Sequence, residues 1–194
     1  MKKQKKSKAI IAIHGIKTNS LNWTDVFKAY IINDKRFDDR DFIEINWGYL
    51  PALFTMIPPL MYWKYHYVKK RIVEACKDYE QVDIIAHSMG TRYSYYAIKS
   101  EKLPVRKLIM FSGVVKVNER VDHALEASLG QLINYYSPYD EVARFNPFGH
   151  CGYAGFEWKH KRLLQKSFYV EHSEWFSDKP PDFYKLWMDD LANG

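Results

Sequence analysis

Apolar residues in this chain come in short unbroken runs, and the runs alternate with stretches where apolar positions recur every three or four residues. Lys8–Ile13 (KAIIAI), Val82–Ala86 (VDIIA) and Lys107–Ser112 (KLIMFS) have the length and composition of buried strands. Phe42–Trp47 (FIEINW) alternates and also reads as a strand, and Leu132–Ser137 (LINYYS) and Ser167–Val170 (SFYV) add two more. Between them, Trp23–Asn33 has helical spacing, with Trp23, Val26, Phe27, Tyr30 and Ile31 on one face and Asn22 or Thr24 as a cap. Lys64–Tyr79, Thr91–Ser100, Asn118–Leu129 and the closing Pro181–Leu191 are further helical segments. Continuous apolar strands separated by helices predict an α/β fold: a three-layer α/β/α sandwich around a mostly parallel sheet of about six strands.

In such a sheet the chemistry collects at the carboxyl ends of the strands. The first strand is followed by His14-Gly15-Ile16, the third by Ala86-His87-Ser88-Met89-Gly90, the fifth by Pro138-Tyr139-Asp140 and the last by Glu171-His172. A Gly-bearing loop, a Ser on a tight turn, an Asp and a His therefore follow strands in that order. Each also has a purely structural interpretation. Ser88 can cap the helix Thr91–Ser100, Asp140 with Glu141 can be a helix N-terminal charge, His14-Gly15 can be a plain turn, and His172 can be a core or surface histidine. Asp122, in the loop after KLIMFS, is the alternative acid, and His150 and His160 are rival histidines in an irregular region.

This constellation resembles the α/β-hydrolase superfamily, whose triad runs Ser, acid, His along the chain. The resemblance spans Lys8 to about Leu191 and is nearest to small serine esterases and lipases without a large cap domain. The superfamily's nucleophile turn is G-x-S-x-G. Here Ala86 replaces the first Gly and Gly90 keeps the second, both small enough for a sharp strand-to-helix turn. The resemblance implies Ser88 as nucleophile, His172 as base and Asp140 as its acid, with the backbone N–H groups of Ile16 and Met89 as the oxyanion hole. It implies a carboxyl-ester hydrolase that needs no cofactor. Thioesterases, amidases and acyltransferases use the same triad, and a non-catalytic binding module on the same fold is the alternative of a different class. A Ser rather than an Asp at the nucleophile position argues against the dehalogenase branch.

Composition adds limits. The 194 residues suffice for one core and read as one domain, 8–194, behind a basic tail at 1–7. Five of the 29 basic residues fall within the first eight positions, leaving 24 against 23 acidic ones, so all but one unit of the net charge of +6 comes from those eight residues and the body is nearly neutral. The body carries no concentrated basic motif, and no nucleic-acid partner is expected. The apolar run AIIAI is too short for a signal-peptide core, and no run approaches the length of a membrane span. Two cysteines, Cys76 and Cys151, form neither a disulfide framework nor a metal-ligand pattern, so no metal site and a cytoplasmic location are expected.

Two segments lack a core role in this scheme. Gly48–Trp63 (GYLPALFTMIPPLMYW) is apolar with three prolines and is not expected to be one long helix. It leaves a strand end, so Leu50, Leu53, Phe54 and Met56 are candidate pocket residues for a small-molecule or lipid ester; packing as core or as a dimer contact is the other interpretation. Together with the Lys tail it leaves a peripheral membrane contact open. Ala143–Lys161, with Gly149, Gly152 and Gly155 among aromatics, reads as a long ordered loop beside the site, with Tyr153 as a further pocket candidate.

Overall fold

The computed structural model describes residues 6–16, 23–48, 57–127, 129–176 and 183–193. Six strands, β1 (Lys6–Ile13), β2 (Arg40–Ile45), β3 (Tyr79–His87), β4 (Val105–Phe111), β5 (Gln131–Tyr136) and β6 (Leu163–Ser167), form one sheet in the order β2-β1-β3-β4-β5-β6. Every pairing is parallel. Helices α1 (Trp23–Asn33), α2 (Pro58–Lys77), α3 (Met89–Ser100), α4 (Asp122–Ala127), α5 (Glu141–Arg144), α6 (Cys151–Ala154) and α7 (Phe183–Ala192) connect and cover it.

The unbroken apolar runs are explained by burial on both faces. A single row, Ile43, Ile11, Ile84, Leu108, Leu132 and Leu163, crosses all six strands in register. Its face packs against Val68 and Ile72 of α2, Tyr93 and Ala97 of α3 and Leu125 of α4. The alternate residues, among them Ala12, Ile85, Ile109 and Ile133, face Phe27 and Ile31 of α1 and Trp187 and Leu191 of α7. Alternation along each strand thus feeds two separate cores.

The strand order sets the place of the site. From β1 the chain moves outward to β2, then returns to lay β3 on the other side of β1. The crevice between the carboxyl ends of β1 and β3 is therefore a topological switch point, where this kind of sheet accepts ligands. The His14-Gly15-Ile16 and His87-Ser88 turns both open there.

Several boundaries differ from the sequence expectation. β6 spans Leu163–Ser167, not Ser167–Val170. It is the edge strand, its residues are largely exposed, and the sequence LLQKS lacks the apolar density of the inner strands. Phe168 and Val170 lie past its end and pack on the α1/α7 core instead. α2 begins at Pro58 rather than Lys64, because Pro58 and Pro59 occupy the first turn, where a missing N–H breaks no helical hydrogen bond. The end of the apolar segment is thus helical, and its residues 49–56 lie outside the described residues. Tyr79 belongs to β3 rather than to the preceding helix, and Lys6 and Ser7 belong to β1 rather than to the tail. The Gly-rich stretch at 143–161 carries the short helix α6 and the end of α5. A Cβ at Gly152 would lie 2.2 Å from the Ser112 carbonyl carbon, so this loop lies directly on the turn after β4. Among the described residues no helix is long and apolar enough to cross a membrane.

Candidate active site

Ser88 joins β3 to α3 with φ 52° and ψ −126°, a conformation that a non-glycine residue adopts only at a cost of about 1–3 kcal/mol. Its N–H donates to Phe111 O at 3.0 Å, continuing the β3–β4 ladder for one more residue. Its carbonyl accepts from Thr91 Oγ1 at 2.6 Å, and that same oxygen accepts from Val114 N. The backbone is thus held by β4 on one side and by the first turn of α3 on the other, while the Ser88 side chain makes no capping hydrogen bond to α3. The capping interpretation of Ser88 does not describe this structure.

Close approach explains the small residues around it. A Cβ on Gly90 would lie 2.6 Å from Ile13 O and 2.7 Å from His14 O, so α3 begins in direct backbone contact with the end of β1. A Cβ on Gly15 would lie 2.7 Å from Ser88 Cβ. Ala86, where the resembled pattern has glycine, is wholly buried in register between Ile13 and Met110.

The structure brings Ser88, His172 and Asp140 together across the sheet. His172 Nε2 lies 3.0 Å from Ser88 Oγ, and His172 Nδ1 lies 2.9 Å from each Asp140 carboxylate oxygen. Asp140 is fully buried. It also accepts from Ala143 N at 2.8 Å, so it is a helix-capping charge and the partner of His172 at once. Burial pushes its carboxyl pKa upward, but hydrogen bonds from His172, Ser112 and the Ala143 N–H outweigh this and hold it below the ordinary carboxylate range. Asp122 instead pairs with Arg120 at 2.6 Å on the surface, which lowers its own pKa. His160 Nδ1 accepts from Arg162 N and is engaged in its own turn.

The loop after β1 is equally constrained. His14 Nδ1 lies 2.6 Å from Gly15 O, and its Nε2 lies 3.2 Å from Asn46 Oδ1 and 3.3 Å from Trp47 N. Trp47 stacks on the His14 ring at 5.1 Å and donates its indole N–H to His14 O at 2.8 Å. Met89 N–H, the first of α3, is one that the helix leaves without an internal acceptor, and Ile16 follows the Gly15 contact.

Three residues with no role in the sequence reading support the arrangement. Ser112, at the end of β4, also has positive φ, 51°, and its hydroxyl donates to Asp140 Oδ2. Trp175 Nε1–H donates to the same hydroxyl oxygen at 2.5 Å. The segment that carries His172 therefore reaches behind the carboxylate three residues later. His87 Nε2–H donates to His172 O at 2.9 Å. Burial, then the nearby His172, pushes the His87 pKa down to about 3, so it stays neutral. Of these, Ser112 had a signal in the sequence: an apolar strand running into Ser-Gly, as β3 runs into Ser88. Leu50, Leu53, Phe54 and Met56 lie outside the described residues, and Tyr153 sits under the Arg144 guanidinium at 5.5 Å. A cavity of about 500 Å³ opens on His172, lined also by Tyr139, Glu141, Arg144 and Glu171.

No family model and no curated protein sequence matches the chain. Solved structures do. The chain is similar to esterase PE8 (14% identity, TM-score 0.59, 97% of this chain and 94% of that one). It is similar to a predicted CIB-like hydrolase from Thermoplasma acidophilum (14%, 0.60, 97% and 88%). It is also similar to an S-formylglutathione hydrolase from Agrobacterium tumefaciens (12%, 0.61, 97% and 86%). At such identities the likeness is one of fold.

Proposed function

We propose that this chain, which has the α/β-hydrolase fold, is a serine hydrolase that cleaves carboxyl esters through an acyl-enzyme on Ser88. The observation that carries the proposal is the strained Ser88 turn, whose hydroxyl is left to His172 Nε2 at 3.0 Å while His172 Nδ1 meets the buried Asp140. A turn that served only to start a helix would use that hydroxyl as the cap. The hydrolases and esterases among the similar structures add support at the level of fold.

In the proposed reaction Ser88 Oγ attacks the acyl carbonyl and His172 Nε2 takes its proton. Asp140 keeps the other imidazole proton on Nδ1 and offsets the positive charge that forms. The N–H groups of Met89 and Ile16 receive the oxyanion, and each such donor lowers a barrier by about 2.7–4 kcal/mol. His172 then protonates the departing alcohol. Water, deprotonated by the same imidazole, attacks the acyl-Ser88 carbonyl and releases the acid. Pre-steady-state hydrolysis of p-nitrophenyl acetate tests this. A burst of p-nitrophenol equal to the enzyme present, absent in Ser88→Ala, is expected. A folded wild-type protein with neither burst nor turnover would leave a binding module on the same fold as the better description.

A further inference from the structure

One cavity is lined by His172. A second, larger one of about 700 Å³ lies between α2 and α3. Its lining includes Met61, Tyr62 and Tyr65 from α2 and Arg92, Tyr93 and Tyr96 from α3. Arg92 is held in place there. Its Nη1–H donates to Phe148 O at 2.8 Å, and its guanidinium lies over the rings of Tyr96 at 4.9 Å and Phe148 at 5.5 Å. The groove therefore offers aromatic and aliphatic surface with its one cation already engaged, and it has the size of a ligand pocket.

Packing connects this groove to Ser88. Along α3, Arg92 and Tyr96 stand one and two turns beyond Ser88 on the same stripe. On the other flank, Gly15 abuts Ser88, His14 stacks on Trp47, Trp47 meets Tyr93 edge-on at 5.5 Å, and Tyr93 lies 6.3 Å from Tyr65. The groove thus lies on the α2/α3 face of the sheet, whereas Trp175 and Phe176, just beyond His172, pack on the opposite face. The chemistry divides the two cavities. A leaving group must come within reach of His172 Nε2 to collect its proton, which assigns it to the His172 cavity with its charged rim. The acyl chain then extends to the other side.

We infer that the groove between α2 and α3 is the acyl subsite and that the substrate is an ester of an extended apolar acyl group. This rests on the serine-hydrolase proposal. The test is kcat/KM for p-nitrophenyl esters from acetate to decanoate, run on a wild-type enzyme whose Ser88 is shown to react with a fluorophosphonate. Each methylene that enters apolar surroundings is worth up to about fourfold. An octanoate-to-acetate ratio of at least tenfold is expected. The double variant Met61→Glu/Tyr62→Glu, with folding checked by circular dichroism, should bring that ratio close to one. The control Ile32→Glu, an equally exposed apolar residue on α1, should preserve it. A flat wild-type profile with reactive Ser88, or a steep one that the double variant retains, would overturn the subsite while leaving the serine hydrolase intact. An unreactive Ser88 with no ester turnover would overturn both.

Discussion

Replacing Asp140 by Asn separates the orienting role of its charge from its role in the fold. The Asp140 carboxylate accepts from His172 Nδ1–H, Ser112 Oγ–H and Ala143 N–H. Asn has one oxygen for these three donors. If that oxygen stays on Ala143 N–H to cap α5, the amide NH₂ faces His172 Nδ1, which must then accept. The imidazole proton moves to Nε2, against Ser88 Oγ, and the ring can no longer take the serine proton. Loss of the productive tautomer costs about 10⁴-fold in kcat, roughly 5.5 kcal/mol of barrier. KM should move little, because Asp140 is buried beneath His172 and out of reach of substrate. Asp122→Asn loses only an exterior ion pair with Arg120 and should keep kcat within about twofold. Steady-state kinetics on both variants, with thermal melts to verify folding, decide the matter. A larger loss at Asp122, or only a few-fold loss in folded Asp140→Asn, would refute the reasoning.

Other perturbations follow from the same contacts. Ser112→Gly keeps the positive φ at no steric cost but removes the hydroxyl between Trp175 and Asp140; kcat should fall about 10- to 100-fold with KM and melting temperature nearly unchanged, and unaltered kinetics would make Ser112 purely structural. Gly15→Ala places a methyl 2.7 Å from Ser88 Cβ; a nucleophile displaced by about 1 Å loses about 10²-fold in turnover, whereas Gly90→Ala, pressed against Ile13 O and His14 O, should chiefly lower stability, by about 1–3 kcal/mol. His87 has a folded pKa near 3 against an ordinary value of 6.5, so the unfolded chain binds the extra proton between those limits. Stability should therefore be complete above pH 6.5 and decline as pH falls toward 3, by about 1.4 kcal/mol per unit from this group. Denaturant titrations of His87→Gln should show a shallower acid decline, and an identical pH slope would contradict this assignment.

The parallel sheet was legible because burial on both faces leaves the inner strands with no polar alternation, as in KAIIAI and KLIMFS. The tight turn at Ser88 is legible because only small residues fit at Ala86 and Gly90, and Asp140 because it closely follows β5; His172 lies five residues past β6, so its order along the chain points to it although the strand expected just before it does not form. The edge strand β6 was misplaced because its exposed residues carry no apolar run. The start of α2 was missed because prolines that interrupt a helix interior are tolerated in its first turn. Ser112 and Trp175 act on Asp140 from 28 and 35 positions away in the chain, with 63 between them. No local pattern carries such a contact; only the folded arrangement does. The groove between α2 and α3 is likewise a product of packing, since its residues sit on two helices that read separately as ordinary amphipathic segments.

The most direct test of the central proposal is covalent labelling. Wild-type protein and Ser88→Ala would be treated with a fluorophosphonate probe and the modified peptide identified by mass spectrometry. An activated serine at the β3–α3 turn should give a single adduct on Ser88 in the wild type and none in the variant. A folded wild-type protein that remains unlabelled, or one labelled elsewhere to the same extent in Ser88→Ala, would contradict it.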